Sequence, residues 1–204
     1  MSKIVDDPET YFRQWCPKSD PLLRELESEA KAEHIPIVGP LVGELLFILS
    51  RAIGAKRILE LGAATGYSAI FLARACALNA GRLTTLELSP VLADRARNNL
   101  DRAGLADRAQ IVCGDAFAQM HRLEGPFDLI FMDIEKADYA AALPECHRLL
   151  RPGGLLIADN IAFPDADPFN RAVFKDQGWR PVSLFAFLPG HSPERDGLCL
   201  ALRC

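Results

Sequence analysis

No stretch of this sequence stays apolar long enough to cross a bilayer. The longest run, Leu45 to Leu49, falls far short of the ~20 apolar residues a spanning helix needs. Low-complexity tracts and internal repeats are also missing, so neither a solenoid nor a disordered tail is expected. The opening stretch, Met1 to Glu9, is polar and acidic and does not read as a secretory signal. Basic residues are in deficit: 23 Lys and Arg stand against 27 Asp and Glu, for a formal net charge of −4. That removes a global nucleic-acid footprint, although a local patch at Arg95, Arg97, Arg102 and Arg108 stays open. Six cysteines, at positions 16, 76, 113, 146, 199 and 204, include no C-x-x-C pair. Their spacing suits neither a disulfide framework nor a zinc site, so free thiols in a reducing cytosol are expected. The four histidines, His34, His121, His147 and His191, are scattered without ligand spacing and read as surface or loop residues. His191 stands out only because Pro189 to Arg195 can border a binding site. Trp15, Trp179, Phe163, Phe169 and Phe187 read as packing rather than as a stacking platform, with Phe163 close enough to line a pocket.

What remains is an ordinary globular composition, 50% hydrophobic and 25% charged over 204 residues. One domain of this length buries a full core. The expected organisation is a helical cap over residues 1–54 and an α/β core over residues 55–204. Asp20 to His34 reads as a polar helix with a cap and an early proline. In Pro40 to Ile53, Leu41, Leu45, Ile48, Leu49 and Ala52 recur at helical spacing. Strands and helices then alternate. Strands are expected at 57–61, 82–87, 109–113, 127–132 and 154–158. Helices are expected at 67–78, from Ser89-Pro90 to Gly104, and at 137–150 with a break or kink at Pro144. Such alternation makes a parallel sheet with helices on both faces. After a short helix at 168–177, the strands 181–187 and 198–202 are joined only by a loop, which implies an antiparallel pair at one sheet edge.

Glu60-Leu-Gly62-Ala-Ala-Thr-Gly66 joins the first strand to its helix. In an open α/β sheet, ligands bind beyond the carboxyl ends of the strands. Glycines there allow a tight turn and close approach, and the amides of the following helix favour an anion. The spacing is G-x-x-x-G, unlike the G-x-G-x-x-G of pyrophosphate binders. Glu60 beside the loop would repel a pyrophosphate and suits an ammonium or another cationic centre. Glu87, about 20 residues past the loop, stands where a carboxylate accepts ribose hydroxyls. Asp115-Ala116 follows the third strand, where an adenine is usually read, and Asp115 also suits a helix cap.

Asp133 closes the fourth strand, and Asp159-Asn160 closes the fifth. Asp and Asn favour turns, so each alone reads as a strand-end turn former. Together they place two carboxylates and an amide carbonyl on one rim, a hard oxygen set suited to Mg²⁺, Ca²⁺ or Mn²⁺. A cation would relieve the repulsion between the carboxylates. Lys136, three residues after Asp133, lies near the same rim if a helix starts there. A lysine so placed could act as a general base toward a hydroxyl acidified by the cation. The alternative for Lys136 is a solvated surface residue.

Taken together these segments resemble the cation-dependent O-methyltransferases, the catechol and caffeoyl-CoA group and their bacterial relatives. The likeness runs from about Glu29 to the end. It is carried by His34-Ile-Pro-Ile-Val-Gly-Pro-Leu-Val-Gly43, Ile58 to Ser68, Phe127 to Asp133 with Lys136 and Tyr139, Asp159-Asn160, and Asp196-Gly197. The resemblance implies a Rossmann-like class I methyltransferase fold: a mostly parallel seven-stranded sheet with an antiparallel C-terminal edge hairpin. It implies S-adenosylmethionine as cofactor, contacted by Val38, Glu60, Gly62, Gly66, Tyr67, Ser68, Glu87, Asp115, Ala116 and Asp133. It implies a divalent cation, Mg²⁺ foremost, on Asp133, Asp159 and Asn160, with Lys136 as the catalytic base. The expected acceptor is a small hydroxylated, catechol-like molecule. A cytoplasmic homodimer is also expected, with Tyr11 to Trp15 packing across its interface. The segment between Asn160 and Asp196 is shorter than in caffeoyl-CoA enzymes, and Glu135 stands where many relatives carry a second aspartate.

Three other readings compete. Related bacterial enzymes methylate a hydroxyuridine of tRNA, but the acidic balance argues against RNA. A non-enzymatic nucleotide-binding module has no need of Lys136. The glycine spacing disfavours a dehydrogenase.

Overall fold

Alternate residues of the central strands enter two separate cores. Ile58, Leu129, Phe131 and Ile157 point to one side of the sheet. Leu59, Leu61, Ile130, Met132, Leu156 and Ala158 point to the other. Period-two alternation with both sides apolar is what a sheet covered on both faces requires. A computed structural model describes residues 4–204, and the first three residues of the Met1–Glu9 stretch lie outside it.

The chain runs α1 (Pro8–Arg13), α2 (Pro21–Glu33), α3 (Gly39–Ala52), β1 (Arg57–Leu61), α4 (Tyr67–Leu78), β2 (Arg82–Glu87), α5 (Pro90–Arg102) and β3 (Ala109–Cys113). It continues with α6 (Ala116–Arg122), β4 (Phe127–Met132), α7 (Tyr139–Leu149), β5 (Leu150–Ala158), α8 (Asp167–Lys175), β6 (Trp179–Phe187) and β7 (Arg195–Arg203). The seven strands form one sheet in the order β3-β2-β1-β4-β5-β7-β6. The first five strands are parallel to their neighbours, and β7 is antiparallel to both β5 and β6. This is the class I methyltransferase architecture the resemblance implies. Strand order reverses between β1 and β4, so the loops that follow these two strands open the crevice where ligands bind. Among the described residues, no helix is long and apolar enough to cross a membrane.

The caps explain where several helices start. Asp20 accepts from the Leu23 amide at 3.0 Å, and Ser89 accepts from the Leu92 amide at 3.4 Å. Both helices then begin with proline, whose missing amide costs nothing in a first turn.

Some expectations need correction. No break occurs at Pro144: α7 runs through it unbroken. Pro144 lies on the exposed side, while Ala142, Leu143, Cys146 and Leu149 are buried and hold the helix in place. Strand β5 starts at Leu150 rather than Gly154, because Leu150 pairs with Phe127 ahead of a bulge. Helices α1 and α6 were not expected as helices, since each is too short to show a periodic stripe. Asp196-Gly197 lies within β7 rather than before it. Trp15 is 66% exposed in the single chain and packs edge-on against Tyr11, whereas Trp179 and Phe169 are buried. Phe187 is partly buried and its ring carries the Arg13 guanidinium at 5.0 Å. All six cysteines are free.

Candidate active site

The turn after β1 is built against the end of β4. Gly62 has φ +92°, and a Cβ there would stand 2.1 Å from the Asp133 carbonyl oxygen. Only glycine lets the loop lie on the neighbouring strand end in that conformation. The Gly62 and Ala63 amides both donate to the Leu86 carbonyl, at 3.0 and 3.1 Å, tying the loop to β2 as well. Gly66 caps α4 in the left-handed region.

Beneath this loop Glu60 is fully buried in β1. One of its oxygens accepts from Thr85 Oγ1 at 2.5 Å, while the other, Oε1, has no hydrogen-bond partner. A buried carboxylate oxygen without a donor is costly unless something bound supplies one. Burial pushes the Glu60 carboxyl up to about 7, and the nearby Asp133 and Glu87 carboxylates push the same way.

The crevice above is a cavity of about 460 Å³. Gly62, Ala64, Glu87, Asp115, Ala116, Asp133 and Lys136 all line it. An adjoining recess adds Val38, Tyr67 and Ser68, so most of the expected cofactor residues meet in one continuous space. Glu60 lies under it and Gly66 behind it. Several of these groups already have internal partners. Glu87 accepts from the Ala64 amide at 2.8 Å and the Ser89 amide at 2.9 Å. Asp115 caps α6 through the Ala118 amide at 2.8 Å. The Tyr67 hydroxyl donates to Glu27 at 2.6 Å, anchoring α2 to the crevice.

At the end of β4 the Lys136 ammonium donates to Asp133 Oδ1 at 2.8 Å and to the Ile134 carbonyl at 3.1 Å. A short 3-10 turn, Lys136–Asp138, supplies the helical start that this pairing needed. Burial and the Asp159 carboxylate raise the Asp133 pKa, against the pull of Lys136. Asp159 and Asn160, one strand over, are nearly fully buried and line none of the cavities named here. Asn160 takes φ +51°, and its amide nitrogen donates to Asp196 Oδ2 at 2.6 Å. That contact turns the Asn160 carbonyl oxygen away from Asp196. Asp196 is itself completely buried and also accepts the Gly197 amide at 2.6 Å.

His191 sits on a loop, one of its two expected places, but it is buried rather than on the surface. Its side chain is 1% exposed, and Nε2 lies 3.0 Å from both oxygens of Asp159. Nδ1 lies 2.6 Å from the Pro193 carbonyl, which can only accept, so Nδ1 carries a proton. Burial works against a charged ring, but the Asp159 hydrogen bond and charge outweigh it and raise the His191 pKa. No spacing rule could have found this pair, because its members stand 32 residues apart on different loops. His34 and His121 are exposed, as expected, while His147 packs edge-on against Trp179 at 5.3 Å. Phe163 is 41% exposed and lines none of these cavities.

A second cavity, about 710 Å³, lies across the segment Ile35-Pro36-Ile37 from the first. Its walls include Arg13, Lys31, His34, Pro189, His191 and Glu194.

Among the described residues, no three His, Cys, Asp or Glu side chains form a ready metal cage. The candidate set is instead two carboxylates and an amide oxygen. It fits a hard divalent ion in two respects: the carboxylates act on each other, and Asp196 orients the amide.

Comparison with known proteins identifies the family. The O-methyltransferase family profile matches residues 16–166. The chain is 44% identical over 149 residues to the catechol O-methyltransferase of Niastella koreensis, covering 71% of this chain and 67% of that protein. It is 40% identical over 145 residues to the catechol O-methyltransferase of Mycobacterium tuberculosis, covering 70% and 66%. Its structure superposes on the O-methyltransferase from Bacillus cereus in complex with SAH at TM-score 0.85, with 30% identity and 96% of each chain covered. The match over most of the length, together with relatives at this identity, establishes that the chain belongs to the O-methyltransferase family of enzymes.

Proposed function

We propose that this enzyme moves the methyl group of S-adenosylmethionine to a hydroxyl oxygen of a small, catechol-like acceptor in the presence of a divalent cation. The observation that carries the reading is one rim bearing the Gly62 crevice, Asp133 with its own Lys136, and the Asp159-Asn160 pair.

The cofactor supplies a methyl group already activated on a sulfonium. Val38, Gly62, Tyr67, Ser68, Glu87, Asp115 and Ala116 would hold it along the crevice, backed by Gly66. Glu60 Oε1 would take a proton donor from its cationic amino-acid end. Asp133, Asp159 and Asn160 would hold the cation, which would supply Lewis acidity that lowers the pKa of a hydroxyl beside it. Lys136 Nζ, once it is the neutral amine, would receive that hydroxyl's proton, steered by its contacts with Asp133 and the Ile134 carbonyl. When bound, the cofactor would give up its methyl carbon to that oxygen, with the sulfur leaving as the thioether. The chain's own contribution is alignment and charge placement, with no covalent intermediate on the protein. The acceptor hydroxyl would enter on the Asp133 and Lys136 side of the crevice, where both side chains line the space.

The test is calorimetric titration with S-adenosylmethionine, followed by methyl transfer to a catechol with and without Mg²⁺. Asp159→Ala serves as the control. Turnover that needs Mg²⁺ and disappears in the variant supports the reading. Absence of cofactor binding would sink it. Lys136→Met is expected to lower kcat by about 10²–10⁴-fold, the range for a lost general base, while cofactor affinity stays as it was.

A further inference from the structure

The loop Leu188–Glu194, which joins β6 to β7, is fastened on several sides. The Leu188 amide donates to the Glu194 carbonyl at 2.6 Å, and the Gly190 amide to Glu194 Oε1 at 3.0 Å. From α1, Arg13 reaches both oxygens of Glu194, at 2.8 and 2.7 Å. Gly39 lies directly on Gly190: a Cβ there would meet the Gly190 carbonyl at 2.5 Å, and φ is +70°. The loop is therefore clamped between the N-terminal helices and the sheet. Its residues 189–192 and 194 line the 710 Å³ cavity. The His191 side chain is spent elsewhere, with both ring nitrogens engaged on Asp159 and Pro193.

Asp159 has few other restraints. Its Oδ1 accepts the Asn160 amide at 2.9 Å, and among the described residues no other side chain holds either oxygen. One backbone contact leaves the carboxylate free to turn, whereas a donor shared by both oxygens fixes it. We propose that His191 is the positioning residue for Asp159, tying that carboxylate to the clamped Leu188–Glu194 loop. This rests on the reading of Asp159 as a cation ligand. Partners of this kind orient a ligating group without touching the ion. Asp133 has the equivalent support within its own segment, from Lys136. Asp159 must import its support from a loop 32 residues away in sequence.

The experiment is a Mn²⁺ titration of the full chain, followed by water-proton relaxation, for the wild type, His191→Phe and His191→Gln. S-adenosylmethionine affinity and melting temperature are measured in parallel. The phenylalanine fills the space without a donor, and it is expected to weaken Mn²⁺ binding by ~10–100-fold, the usual cost of losing such support. Cofactor affinity should not change. The glutamine amide still donates to Asp159 and should restore most of the affinity. If His191→Phe does not fold, His191→Asn, whose amide is too short to reach, takes its place. Wild-type protein that binds no Mn²⁺ would overturn the cation reading and this inference with it. Mn²⁺ affinity equal to wild type in the donor-less variant would overturn the inference alone, even if the melting temperature fell. Equal loss in the glutamine and phenylalanine variants would overturn donation to Asp159 as the cause.

Discussion

Glu60 is the residue whose surroundings leave the clearest solution signature. Its carboxyl is pushed from 4.5 up to about 7 in the folded chain, chiefly by burial. A raised folded pKa means the stability it supports is complete below about 4.5 and is lost as pH rises through about 7. Glu60→Gln should therefore be more stable than wild type at pH 8, by at most about 3 kcal/mol, the free energy of a shift of this size. The advantage should vanish near pH 4.5, and urea midpoints at both pH values check it. If a cationic cofactor end meets Oε1, binding at pH 6.5 should also release a proton, which calorimetry in two buffers of different ionisation enthalpy would detect. Gly62 gives a second test. Gly62→Ala puts a methyl group onto the Asp133 carbonyl, at 2.1 Å, in a left-handed backbone. Strain of this sort costs about 1–3 kcal/mol, so both the melting temperature and cofactor affinity should fall. Glu60, Gly62 and Asp133 could be read from the sequence, because their roles follow from adjacency to a strand end. His191 and the support that Asp196 gives to Asn160 could not, because those contacts exist only once distant loops meet.

Among the elements, α1 is the one whose attachment can be titrated. Arg13 holds the Glu194 carboxyl down at about 2. A depressed folded pKa contributes stability above the unfolded value of 4.5, and this is lost as pH falls toward about 2. Both side chains are more than a third exposed, so the effect at pH 7 should be small. Arg13→Ala should remove the part of the acid transition between pH 4.5 and 2 and leave the neutral melting temperature nearly unchanged, as circular dichroism at several pH values would show. Strands β1 to β4 and helix α4 follow the sequence pattern closely, since apolar runs bounded by Gly, Ser-Pro and charged residues mark them. Helices α1 and α6 do not, because seven residues or fewer show less than two turns of periodicity. Pro144 misleads for a different reason. Its local preference is to end a helix, but four buried neighbours in α7 override it.

For the whole molecule, the charge balance bears on the choice of acceptor. Arg95 is committed to Glu29 and Glu33, and Arg102 pairs with Glu25, so two members of the basic cluster are already matched by carboxylates of α2. Full-length protein is expected to bind tRNA no better than its net charge of −4 allows, with no steep salt dependence in a filter-binding assay. Fold class was legible because the β-α alternation and the closing hairpin are global patterns that survive local errors. The 710 Å³ cavity was not, since its walls come from residues 13 to 40 and 189 to 194, two stretches without a shared motif.

The pairing of β1 with β4 also bears on how the enzyme comes into being. Ile58 lies beside Leu129, with two other strands and three helices threaded between them in the chain. The crevice exists only after that long loop has closed, and closures of this kind form late relative to local helices. Refolding chains should recover helical signal before they regain the capacity to bind S-adenosylmethionine, so ligand binding times the last docking of the sheet's two halves.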